Sequence, residues 1–161
     1  KFQNDVLAPM HTTEHILNQT MVRMFGCERS KNAHIERRKS KCDYILSAMP
    51  TDAQIEEIEN RVNEVIRQNL DITEEYVSYN EASKIVDMSK LPDEVGSELR
   101  LIRVGNYDVC ACIGTHVNNT SEIGTFKITT HDFLENRWRV RFRLLTLNKE
   151  LCREPFNPNR E

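Results

Sequence analysis

CIGTHVNNTSEIGTFKI, residues 112–128, is the stretch on which the reading of this chain turns. It overlaps the run YDVCACI, residues 107–113, whose apolar content predicts a strand. Cys112 closes that strand, Gly114 permits a sharp turn and His116 returns four residues after the cysteine, so a thiolate and an imidazole can converge on one point.

Their counterpart lies near the start of the chain, in HTTEH, residues 11–15. Around it Met10, Leu17, Met21, Met24 and Phe25 recur at helical spacing, and Gly26 is a C-terminal stop, which predicts a helix over 9–26. His11 and His15, at i and i+4, then share one face. Two His from a helix with Cys112 and His116 make four nitrogen and sulfur ligands, the number and softness that suit tetrahedral Zn²⁺. Cys110, one strand repeat before Cys112, is a substitute ligand on the same face, or a small buried hydrophobe. HTTEH also spells H-x-x-E-H, the inverzincin protease signature, with Glu14 as general base and a downstream glutamate as third ligand. That reading leaves Cys112 and His116 without a role. A closed four-ligand site can also be purely structural, in a module that binds RNA or protein without chemistry.

Composition sets the frame for these motifs. The chain has 161 residues, 39% apolar and 29% charged, which is enough for one compact domain spanning 1–161. No apolar run approaches the ~20 residues of a membrane span, and no signal segment is visible. Five cysteines, an odd number scattered along the chain, read poorly as a disulfide framework, so a reducing cytoplasm is expected. The sequons at Asn18, Asn118 and Asn119 are then chance matches. A net charge of −3 excludes an all-over basic nucleic-acid binder, although a local basic face survives in RWRVRFRLL, residues 137–145.

The remaining elements follow from periodicity. AHIERRK and CDYILSA predict two strands over 33–39 and 42–48. Thr51 with Gln54 forms a capping box ahead of the stripe Ile55, Ile58, Val62, Val65 and Ile66. ITEEYVSY reads as a strand, NEASKIVDM as a short helix capped by Asn80, and ELRLIRV as a strand that meets YDVCACI at Gly105-Asn106. A hairpin with strands near 125–131 and 137–147 closes the domain. Its second strand sets Arg137, Arg139, Arg141 and Arg143 on one face, and Trp138, Val140, Phe142 and Leu144 on the other. The tail, 154–161, is expected to be loosely ordered. The fold class is α+β, one antiparallel sheet packed with helices.

HTTEH together with the C-x-G-T-H-V…T-x-E-I-G run resembles the editing domain of alanyl-tRNA synthetase, and more closely its free-standing AlaX-type trans-editing relatives; the second additional domain of threonyl-tRNA synthetase carries similar ligands. The resemblance covers the chain from Met10 to about Leu145. It implies an editing-domain fold, zinc held by His11, His15, Cys112 and His116, and hydrolysis in trans of mischarged tRNA, usually Ser- or Gly-tRNA(Ala). The chain has no nucleotide-binding glycine loop, hence no nucleotide cofactor, and no recognisable synthetase catalytic domain. The expected partner is therefore aminoacylated tRNA, from which the chain removes an amino acid.

An aminoacyl ester is already activated, so such a site has to place a water, anchor the amino group and stabilise the oxyanion. Backbone N–H groups from Ile113 to His116 are candidates for the oxyanion or the terminal adenosine. Thr115 orients a ligand or bonds substrate. Thr12, Lys31, Asn32, Ile113 and Gly114 are assigned to substrate binding. The sequence departs from the family at Glu14, where threonine is common, and at Lys31, Ala33 and His34, where glutamine, glycine and serine are familiar. Glu14 binds the substrate amino group or acts as base; His34 lines the pocket or shuttles a proton. Arg37, Arg38 and Lys39, with Arg139 and Arg141, are the candidate phosphate contacts.

Overall fold

The helix that carries HTTEH runs well before the predicted start. In a computed structural model, which describes residues 2–86 and 98–145, α1 spans Phe2–Phe25 and passes through Pro9. Ala8 and Met10 are buried on either side of that proline, so packing holds the helix where propensity alone would begin it at the proline. At its other end Gly26 adopts φ +68° and donates to Val22 O at 2.9 Å, the left-handed stop that its lack of a side chain allows.

The next elements are β1 (Asn32–His34), β2 (Ser40–Ile45) and α2 (Asp52–Ile66). The Thr51–Gln54 capping box is present in both directions, and α2 buries Ile58, Val62, Val65 and Ile66. After β3 (Ile72–Ser78) the chain makes a single turn, α3 (Tyr79–Ala82). Its cap is Ser78, whose hydroxyl accepts from the Glu81 N–H at 3.1 Å, and not Asn80, which lies inside the turn. The last two residues of the predicted 80–88 helix fall outside the described residues, as does the 154–161 tail.

β4 (Glu98–Val104) and β5 (Asp108–Ala111) meet at Gly105-Asn106 as expected, and β6 (Thr125–Leu134) and β7 (Arg137–Leu145) form the closing hairpin. All pairings are antiparallel but are divided between two sheets, β1-β2-β7-β6 and β3-β4-β5. The core lies between the larger sheet and the helices. Trp138, Val140 and Phe142 point inward from β7 to meet Ile16, Leu17 and Met21 of α1 and Ile58 and Val62 of α2, all in one buried cluster. The arginine alternation therefore falls as read, with the apolar partners inside.

Two polar ties fix the layers. Asn63 of α2 donates to Phe126 O at 2.9 Å and accepts from Phe126 N at 2.7 Å, which caps the start of β6 on the helix. Asn18 of α1 accepts from Tyr44 Oη at 2.7 Å and Ser30 N at 3.2 Å, binding the loop after α1 to β2. Asn18 is thus an interior side chain, in keeping with a chance sequon. No helix among the described residues is long and apolar enough to cross a membrane.

Candidate metal centre

α1 delivers His11 and His15 one turn apart, and the loop that follows β5 delivers Cys112 and His116. Strand pairing ends at Ala111, so Cys112 is the first loop residue, although its N–H still bonds Arg100 O at 3.2 Å. The four ligand atoms lie within 4.8 Å of one another. Cys112 Sγ is 3.7 Å from His11 Nε2 and 3.4 Å from His116 Nε2. A tetrahedral zinc with Zn–S about 2.3 Å and Zn–N about 2.0–2.1 Å sets sulfur and nitrogen about 3.6 Å apart, so the donor set and spacing fit that ion. The glutamate ligand required by the protease reading of HTTEH has no place in this group, which Cys112 and His116 complete.

The loop is shaped around the cluster. Gly114 N donates to Cys112 Sγ at 3.3 Å, and the Arg100 guanidinium donates to Cys112 O at 3.0 Å and Gly114 O at 2.8 Å. A Cβ on Gly114 would lie 1.8 Å from His11 Cε1, so only glycine fits beneath that ring. Thr12 is fully buried, with Oγ1 2.9 Å from His116 Nδ1 and accepting from Val117 N at 3.2 Å. Its hydroxyl thus meets the His116 ring and the backbone of Val117, and its burial leaves it no exposed surface in either cavity.

Burial controls the protonation of this group. Desolvation is the largest cause lowering His11, takes His15 well below its ordinary range and pushes His116 down to about 3; neighbouring ring and guanidinium charges act in the same direction. The imidazoles are therefore held neutral, the form that binds metals. Desolvation raises the Cys112 thiol above its ordinary value, so an incoming cation has to displace a proton from sulfur.

Two cavities meet at Cys112. The smaller, about 560 Å³, is lined by His11, Glu14, His15, Arg29, Lys31 and Cys112 among others. The larger groove, about 970 Å³, opens over β3 and β4 beside Arg100, Gly114, Thr115 and His116. Glu14 Oε1 is 3.9 Å from His11 Nε2. Ile113 is 95% exposed at the groove's edge, and Lys31 stands at the smaller cavity, ion-paired to Glu28 at 2.7 Å.

Other expected site residues are not brought here. His34 is exposed on β1 and pairs with Glu36 at 2.6 Å; it lines neither cavity, because β1 is an edge strand whose three residues are all exposed. Asn32 donates to Asp43 at 2.8 Å and borders a separate hollow beside Arg137. Arg139 is locked onto Asp43 by two bonds of 2.8 and 2.9 Å, and Arg141 reaches Asp132 at 3.2 Å, so the arginine face carries its own counter-charges. Arg37, Arg38 and Lys39 are exposed between β1 and β2. Sequence reasoning missed Arg100 and Asp108. Nothing in a strand arginine marks it as the brace of a loop, and Asp108 reads only as a polar residue of the strand predicted over 107–113.

Residues 99–153 match the sequence profile of the family described as threonyl and alanyl tRNA synthetase second additional domain. An alanine–tRNA ligase of Aeropyrum pernix is 36% identical over 129 residues, covering 78% of this chain and 14% of the ligase. That of Fervidobacterium nodosum is 35% identical over 121 residues, covering 74% of this chain and 14% of the ligase. The chain thus spans 14% of the length of these relatives.

Proposed function

The chain belongs to the threonyl and alanyl tRNA synthetase second additional domain family, and on that premise we propose that it is a zinc-dependent hydrolase that deacylates mischarged tRNA, with Ser- and Gly-tRNA(Ala) as first substrates. The observation that carries this reading is the convergence of His11, His15, Cys112 and His116 where two cavities meet. Zinc, when bound there, supplies Lewis acidity and an anchor for the ester.

The chain's own groups do the rest. The smaller cavity takes the aminoacyl part, and Glu14 in its wall receives the α-ammonium, a charge that every candidate substrate carries. The Gly114 N–H is already given to Cys112 Sγ, so the oxyanion falls to the N–H groups of Ile113 and Thr115 in the same braced turn. Thr12 holds the His116 ring and Arg100 holds the turn, so neither touches substrate. Arg37, Arg38 and Lys39 supply phosphate contacts, and Arg139 and Arg141, already paired, contribute less.

The test is release of amino acid from Ser-, Gly- and Ala-charged alanine tRNA by zinc-quantified protein. Rapid release of serine or glycine with alanine spared is expected. A zinc-loaded chain that hydrolyses none of the three would overturn the deacylase reading. It would favour a structural-zinc binding module, the alternative to which a closed four-ligand set also lends itself.

A further inference from the structure

Beside Nδ1 of His15 a carboxylate is buried that the proposed chemistry does not use. The Asp108 side chain is 0% exposed, and Arg29 holds it with bonds of 2.7 and 3.2 Å. Gln19 donates to its Oδ1 at 2.8 Å. Its Oδ2 lies 3.7 Å from His15 Nδ1. That nitrogen is buried and has no hydrogen-bond partner, although nearly every interior polar atom finds one.

The orphaned atom has a chemical reading. A histidine that ligates through Nε2 carries its proton on Nδ1, and that N–H needs an acceptor to fix the tautomer and the ring plane. The carboxylate is the acceptor within reach, and 3.7 Å closes to hydrogen-bond length by a small rotation of the ring. Oδ2 carries only the longer of the two arginine bonds, so it retains a lone pair for the imidazole. We propose that Asp108 is a positioning residue for the metal centre: it accepts from His15 Nδ1–H, while Arg29 pins the carboxylate and stops it from becoming a ligand itself. This rests on the metal reading above and not on hydrolysis.

Its place in the fold supports the assignment. Asp108 opens β5, the strand that leads into Cys112, and Gln19 lies one turn beyond His15 on α1. The carboxylate therefore ties the helix that supplies two ligands to the strand that leads to the other two. Adjacent contacts reinforce that seam: Thr20 Oγ1 meets Tyr107 Oη at 2.6 Å, and Arg23 donates to Tyr107 O at 2.8 Å.

The experiment measures zinc affinity by chelator competition, and the visible spectrum of the cobalt(II) form, for the whole chain and two variants. Asp108→Asn should lower zinc affinity about 10–100-fold and alter the cobalt spectrum. Asn63→Ala, which removes a buried tie between α2 and β6 away from the centre, should destabilise the chain yet leave zinc affinity at the wild-type level. Loss of affinity in both variants in step with lost stability would overturn the proposal, since a merely structural ion pair gives that pattern. Should Asp108→Asn fail to fold, the unmutated zinc-loaded protein decides by nitrogen-15 NMR. A slowly exchanging His15 Nδ1–H signal is expected, and rapid exchange with solvent would overturn the assignment. None of these readouts uses tRNA, so a chain that binds zinc but hydrolyses nothing refutes the proposed function alone.

Discussion

Gly114 and His11 interlock so closely that a single added carbon on the glycine would stand 1.8 Å from the imidazole Cε1. The contact joins the loop to the helix within the ligand cluster, and it involves backbone on one side, so neither partner can yield without moving a ligand.

Gly114→Ala should therefore abolish tight zinc binding, lowering affinity by more than about 100-fold, while the β-sheets persist. Zinc content after dialysis and far-UV circular dichroism check this. Stoichiometric zinc in the alanine variant would show that His11 is not held where the structure puts it.

The metal-free chain should lose stability as the solution is acidified from pH 6.5. His116 falls from 6.5 to about 3 on folding, and His11 and His15 are also lowered, so the unfolded chain binds these protons first. The contribution is complete above the unfolded value and disappears as pH descends through the folded one. Urea midpoints measured in chelator should drop over that interval, and His116→Asn should flatten the drop. A pH-independent midpoint in the unmutated chain would contradict the burial of these rings.

The two basic regions should behave differently towards tRNA. Replacing Arg37, Arg38 and Lys39 together by Ala should weaken binding and reduce the slope of log affinity against log salt by about 2, at ~0.7–0.9 per phosphate contact. Replacing Arg139 and Arg141 should change it less, because Asp43 and Asp132 already neutralise them. Filter binding over a salt series separates the two, and equal slopes would refute the ranking.

Asn63→Ala should destabilise the fold by about 2–5 kcal/mol, since it strands both the N–H and the C=O of Phe126 in the interior. Chemical denaturation of the zinc-loaded chain is the check. A cost below about 0.5 kcal/mol, the usual size of a surface change, would mean that water or a neighbour replaces the amide.

Local signals carried the elements well. The Thr51–Gln54 box, the stop at Gly26, the Gly105-Asn106 turn and the alternation from Arg137 to Leu145 all depend on neighbours in the chain, and each is where periodicity puts it. The His/Cys group that could hold a metal was legible because His11 with His15, and Cys112 with His116, are each close in sequence. What surrounds it was not. Thr12 looked like a pocket residue but faces His116, and His34 looked like a pocket residue but faces water. Arg100 and Asp108 act through contacts set by the packing of β4 and β5 against distant segments, which no local spacing encodes. The start of α1 was misplaced for a similar reason, since tertiary burial overrode the proline.

The two halves of the His/Cys group are far apart in the chain, as the 101-residue interval between His11 and Cys112 records. A ribosome releasing this chain exposes His11 and His15 before Cys112 and His116, but a pair of imidazoles on a nascent helix would hold zinc weakly. Tight capture would have to wait until Cys112 and His116 emerge and the intervening strands have set β5 against α1. Once made, the clasp closes a loop of about a hundred residues, and the entropy that the unfolded chain would regain by opening it grows with the logarithm of that length. A bound ion would therefore report that synthesis has passed residue 116 and would resist the reverse journey, making metal loading an event that commits the segment it closes.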